Sequence, residues 1–200
     1  MLLGITGSIG SGKTTVAKLF SKHHFIRIDA DEIAHNLMQK NFSVRRQLKK
    51  FFGNEICDKN KNIDRKKLGE IVFNDLTKLK RLNSIMHPTI ILEIKNQIKK
   101  IKQKCGNKTK IVIDAPLLLE TKTKDLVDKI IVVKCDKKKI FDRLNQKFSR
   151  QEIEKILKSQ MPLKEKVKYA DFVIDNNGDF KDLEEQVEKI LEKNLNNRIV

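Results

Sequence analysis

The sequence predicts an α/β protein built on a parallel sheet that helices cover on both faces. Two observations predict it. Short, continuous apolar runs recur along the chain, without the in–out alternation of a sheet that has one wet face. Helical 3.6-residue patterns separate them, and the first run passes through a glycine-rich turn straight into a helical pattern.

The first run is Met1–Thr6. It is followed by Gly7-Ser8-Ile9-Gly10-Ser11-Gly12-Lys13-Thr14, after which Val16, Ala17, Leu19 and Phe20 mark a helix. A second run, Phe25–Ile28, ends at Asp29-Ala30-Asp31, and a helix continues through Ile33, Ala34, Leu37 and Met38. From there to about residue 105 the pattern is helical only: Val44–Phe52, Leu68–Phe73, Leu76–Met86, and a long segment marked by Ile90, Ile91, Ile94, Ile98 and Ile101. Gly53-Asn54 and His87-Pro88 are read as its breaks. That stretch is too long for a simple crossover, so it is expected to be an inserted helical subdomain. Strands return at Lys110–Ile113, Lys129–Val133 and Phe172–Ile174. Between the last two, Ser149-Arg150-Gln151-Glu152 has the capping-box pattern and opens a basic helix inside a second insert at about 137–168. The tail carries Phe180, Leu183, Val187, Ile190 and Leu191 on one helical face.

At 200 residues and 39% hydrophobic content the chain can bury a sizeable core as one domain with inserts. The 43 Lys and Arg against 26 Asp and Glu give a net charge of +17, which attracts polyanions without choosing among nucleic acid, acidic lipid and polyphosphate substrates. With no Trp and one Tyr, stacking platforms for a single strand are scarce. Residues 95–110 hold seven lysines and no acid, read as a solvated helix face or a nucleic-acid surface. Three scattered cysteines form neither a disulfide framework nor a metal pair, which fits a reducing cytoplasm. No apolar run approaches the ~20 residues of a membrane span, and glycines interrupt the N-terminal run where a signal peptide would need continuity.

The chemistry concentrates in Gly7-x-x-x-x-Gly12-Lys13-Thr14, a full G-x4-G-K-[ST] match between an expected strand and helix. Glycines let successive backbone N–H groups curl around a phosphate, and the helix start adds its positive end. Lys13 would reach the β- and γ-oxygens, and the Thr14 hydroxyl would ligate Mg²⁺. Asp29 and Asp31 follow the second strand, where ligands of open parallel sheets bind. They are read either as a general base and its partner or, for one of them, as the cap of the next helix. Asp114, closing the third strand, either holds Mg²⁺ through water or simply ends an apolar run. Arg143 and Lys147 would share a helix face if 137–147 is helical, as triphosphate clamps or as solvated charges. His87 is read as structural more readily than catalytic.

Several blocks together carry a resemblance. Gly4–Ala17, Asp29-Ala30-Asp31-Glu32-Ile33-Ala34, Leu82–Pro88 with its His87-Pro88, Pro116-Leu117-Leu118-Leu119-Glu120, and Ala170–Gly178 stand in this order over nearly the whole chain. In this the chain resembles the dephospho-CoA kinase family. The resemblance implies a P-loop NTPase-type fold with a five-stranded parallel core (1–29, 106–136 and 169–200), a helical CoA-binding insert (30–105) and a helical lid (137–168). It implies transfer of the ATP γ-phosphate to the ribose 3′-hydroxyl of dephospho-CoA, the last step of coenzyme A synthesis, with ATP and Mg²⁺ required. Gly10, Ser11, Gly12, Lys13, Thr14 and Thr15 would cradle the nucleotide. Asp31 would be the general base and Arg143 a lid arginine on ATP. Asp29, Asp31, His87, Pro116 and Leu117 are expected on the acceptor side, and Thr14 and Asp114 at the metal. Ser8 stands where the family usually has Gly, Thr14-Thr15 where Ser-Thr is usual, and Lys147 where a second lid arginine is usual; lysine lacks the bidentate contacts of arginine. The expected partners are the two small-molecule substrates, with neither nucleic acid nor membrane. The rival readings are a nucleoside-monophosphate kinase and a basic nucleic-acid-associated ATPase with the same loop.

Overall fold

In a computed structural model, which describes residues 1–196, the chain divides into two compact units, 1–28 with 100–200 and 29–99. Residues 197–200, the end of the expected core, lie outside the described residues.

The first unit holds a five-stranded sheet: β1 (Leu2–Gly7), β2 (Ile26–Asp29), β3 (Ile111–Asp114), β4 (Lys129–Lys134) and β5 (Phe172–Asp175), in the order β2-β3-β1-β4-β5. β1 pairs in parallel with both β3 and β4, and β4 with β5. All six residues of β1 are buried, which explains why its run is apolar on both faces rather than alternating. On one face Leu3 and Ile5 pack with Val16, Ala17 and Phe20 of α1 (Lys13–Lys22) and with Leu183, Val187 and Ile190 of a long C-terminal helix. Burying each of these side chains other than Ala17 stabilises the fold by about 1.5–3 kcal/mol. On the other face a Cβ at Gly4 would strike the Leu118 side chain, so that strand position is kept without one.

In the second unit α2 (Ala30–Lys40), α3 (Phe42–Phe52), α4 (Arg65–Val72) and most of α5 (Leu76–Cys105) enclose a core of Met38, Val44, Leu48, Phe52, Leu68, Val72, Ile85 and Met86. Two details differ from the sequence reading. An isolated antiparallel bridge joins Cys57 to Ile63 around a turn in which the Asp58 carboxylate accepts the Asn60 and Asn62 N–H groups; a bridge of one residue pair leaves no periodic signal. His87-Pro88 does not break the helix either, because α5 runs through Pro88 for 30 residues. A proline costs a helix one backbone hydrogen bond and a local clash. Here burial of Ile85, Met86 and Ile94 along the same helix offsets that loss.

Three further helices return to the first unit: α6 (Lys137–Leu144), α7 (Arg150–Ser159) and α8 (Leu163–Lys168). Ser149 and Glu152 form the expected capping box at the start of α7. Cys135, Ile140 and Ile153 form a small core under α6 and α7, with Phe141, Leu144 and Leu157 against it. The C-terminal helix is α9 (Phe180–Asn196); its inner face is as expected except Phe180, which is half exposed. Among the described residues no helix is long and apolar enough to cross a membrane.

Candidate active site

The glycine turn leaves the end of β1 and enters α1 with Gly12 as the residue before the helix, at φ 95° and ψ 17°. That left-handed conformation suits glycine. Gly12 also has no side chain to accept the first-turn N–H groups, which stay available to an anion at the positive end of the helix. The loop's tightness has a second cause. A Cβ on Gly12 would fall on the side-chain amide of Asn176, which sits just beyond β5 and donates Nδ2–H to the Ser11 carbonyl at 2.7 Å. Ser11 Oγ is buried inside the same turn with no hydrogen-bond partner among the described residues. An orphaned hydroxyl within a curl of amides is what a phosphate oxygen would complete.

Lys13 is buried, and its Nζ donates to the Ser8 carbonyl at 2.9 Å, so the ammonium lies back along the loop. Thr14 and Thr15 face outward in the first turn of α1. Thr14 Oγ1 donates to Asp114 Oδ2 at 3.0 Å, and Arg27 Nη2 donates to the same oxygen at 2.7 Å. The register Ile5↔Asp114 carries the carboxylate to the end of β3 beside the loop, where it is 3% exposed. A hydroxyl and a carboxylate oxygen so close suit a hard cation, and Mg²⁺ takes only one or two protein oxygens when substrate phosphates supply others. Among the described residues no group of three or more His, Cys, Asp or Glu could hold a metal instead.

Arg143 lies on α6 against the loop. Its Nη1 donates to the Gly10 carbonyl at 3.2 Å and its Nη2 to the Asn176 carbonyl at 3.3 Å, with Cys135 Sγ 3.4 Å from Nη1. Burial pushes the Cys135 thiol pKa up, and the charges of Arg143 and Lys139 oppose it. Lys147 does not share this face. The helix ends at Leu144, and Lys147 follows in the turn where its own N–H bonds the Leu144 carbonyl. A cleft of about 1090 Å³ opens beside the loop, with Ser8, Ile140, Ile153 and Leu157 among its lining and Lys138 and Arg150 also lining it.

Gly10, Ser11, Gly12, Lys13, Thr14, Asp114 and Arg143 are thus gathered at one end of the sheet. Pro116 and Leu117 follow Asp114 in a half-buried turn, and the Pro116 carbonyl accepts from Thr6 Oγ1 at 3.0 Å. The remaining expected residues belong to the second unit. Asp29 Oδ1 accepts the N–H groups of Asp31 and Glu32 at 2.9 and 3.1 Å, the capping arrangement. Asp31 is exposed in the first turn of α2, and His87 is half-buried in α5. Sequence reasoning missed Arg27, Asn176, Gln160, Glu120 and Lys166. Glu120 and Asn176 stood inside the Pro116–Glu120 and Ala170–Gly178 blocks with no role attached to either, and no local signal pointed to Arg27, Gln160 or Lys166.

A parallel α/β sheet, a glycine loop feeding a helix N-terminus, and a lysine, threonine, aspartate and arginine around it define a P-loop kinase. More narrowly, the chain belongs to the dephospho-CoA kinase family, whose model matches residues 1–182. The dephospho-CoA kinase of Fusobacterium nucleatum is 44% identical over 194 residues, 96% of this chain and 97% of the relative. The solved dephospho-CoA kinase from Campylobacter jejuni is 32% identical with a TM-score of 0.66, covering 96% of each chain. The crystal structure of TT1252 from Thermus thermophilus has a TM-score of 0.77 at 27% identity, covering 96% of this chain and 97% of that one.

Proposed function

We propose that the chain phosphorylates the ribose 3′-hydroxyl of dephospho-CoA with ATP, giving coenzyme A and ADP. The observation that carries the reading is the phosphate loop, an uncapped curl of amides held from behind by Asn176, in a chain of this family. The amides from Gly10 to Thr15 bind the β- and γ-phosphates, and Lys13 leaves the Ser8 carbonyl to meet them. Arg143, already directed at the Gly10 carbonyl, turns its remaining N–H groups to the charge that develops on the transferring group. Asp31 accepts the proton of the 3′-hydroxyl as it attacks in line; Asp29 holds the helix that presents it. Thr14 and Asp114 would hold Mg²⁺, which when bound screens the phosphate charges.

In this reading 30–105 is the acceptor-binding insert and 137–168 the lid, with His87, Pro116 and Leu117 on the acceptor side. Localisation in the cytoplasm, and small molecules rather than nucleic acid or membrane as partners, complete the proposal. Labelled ATP offered with dephospho-CoA, with AMP or CMP, or with an oligonucleotide tests it. Label is expected in coenzyme A alone, and label in a nucleoside diphosphate would transfer the protein to the monophosphate kinases.

A further inference from the structure

We propose that the stretch Gln160–Lys166, between α7 and the end of α8, is a strut that sets the phosphate loop and the 116–120 turn in register, with Lys166 as its positioning residue. Lys166 is fully buried. Its Nζ donates to the Pro116 carbonyl at 2.7 Å, to both Glu120 carboxylate oxygens at 2.9 and 3.2 Å, and to Thr6 Oγ1 at 3.3 Å. Thr6 is the penultimate residue of β1, directly before Gly7 of the glycine loop, and Pro116 opens the turn after β3. One ammonium therefore ties three separate chain segments at a point.

Packing alone does not require a charge there. A buried ammonium is costly, and an apolar side chain of similar length fills the same space at less expense. Burial lowers the lysine's pKa and Glu120 pulls it back, so the carboxylate is what keeps the cation inside. What an apolar residue could not supply is three N–H donors aimed at fixed acceptors. The rest of the stretch repeats the pattern. The Met161 N–H donates to Glu120 Oε1 at 2.9 Å, and Gln160 Oε1 accepts the Ile9 N–H, inside the phosphate loop, at 3.0 Å. Gln160 grips the nucleotide loop, while Met161 and Lys166 grip the turn bearing Pro116 and Leu117, Lys166 also reaching Thr6 of β1. The substrate assignment of the two ends rests on the functional reading above.

Initial rates with ATP and dephospho-CoA for Gln160→Leu, Lys166→Met and Glu120→Gln separate the two ends. Gln160→Leu is expected to raise KM for ATP about fivefold and leave KM for the acceptor within about twofold. Lys166→Met should raise the acceptor KM about tenfold or more with ATP KM little changed, and Glu120→Gln should move it the same way by about threefold. Equal changes in both constants, or none, overturn the strut. Should Lys166→Met fail to fold, Glu120→Gln decides by the same criterion. Amide hydrogen exchange reads the strut without turnover. Gln160→Leu should speed exchange at Ile9 and Glu120→Gln at Met161, and unchanged exchange at both overturns it. An inactive wild type with the exchange pattern intact would instead sink the substrate assignment.

Discussion

Asn176 is the residue whose replacement best tests how the phosphate loop is held. Its Nδ2–H to the Ser11 carbonyl is 2.7 Å long and buried, so Asn176→Ala leaves that carbonyl without a partner and away from water. Such a loss costs about 1–3 kcal/mol. At about 2–4 °C per kcal/mol for a protein of this size, a fall in Tm of roughly 2–12 °C is expected. Asn176→Asp should cost more than alanine, because it sets a carboxylate oxygen against a carbonyl oxygen. The neighbouring glycine supplies a cross-check. Gly12→Ala carries about 1–2 kcal/mol of left-handed strain plus a collision with the Asn176 amide. The double variant loses the collision but keeps the strain, so its destabilisation should fall short of the sum by about 1 kcal/mol or more. Thermal or denaturant unfolding of wild type and the four variants, with ATP affinity measured alongside, completes the test. Strict additivity, or an Asn176→Asp variant as stable as wild type, would refute the account of how the loop is built.

Asp31→Asn should lower kcat by about 10²–10⁴-fold while ATP affinity stays near wild type, and equal turnover would remove Asp31 as the base. Lys13→Ala should slow the same step by about 10²-fold or more and weaken ATP binding, measured by single-turnover kinetics and nucleotide titration. A third expectation concerns acid stability. The hydrogen bond from Lys134 beside Asp175 holds its carboxyl below the ordinary value of 3.8, with the Asn177 N–H helping. The unfolded chain therefore takes up that proton first as pH falls, so the stabilisation is present above about pH 4 and is lost as pH drops through the lower folded value. Asp175→Asn should be less stable than wild type near neutrality and converge with it at strongly acid pH; a gap that persists at acid pH contradicts the assignment.

Much of the fold was legible because it rests on local pattern. β1 reads as apolar throughout since both its faces are covered, and Gly7-x4-Gly12-Lys13-Thr14 names its own chemistry through the φ and size that only glycine permits. The capping box at Ser149 was legible for the same reason, its partners being three residues apart. Pro88 misled because a helix break is a local penalty that burial elsewhere on α5 outweighs. The pairing of Arg143 with Lys147 failed because α6 stops at Leu144, a boundary no side chain announced.

From its order of residues alone this chain specified a strand, loop and helix that hold phosphate, because each device there acts within a few positions along the backbone. Folding alone decided that Arg27 meets Asp114 across 87 positions, that Asn176 steadies Ser11 across 165, and that Lys166 reaches Thr6 across 160. Such pairs share no spacing or period. They come together only when the parallel sheet brings the ends of distant strands to one edge, where burial removes water as an alternative partner and makes each polar contact obligatory.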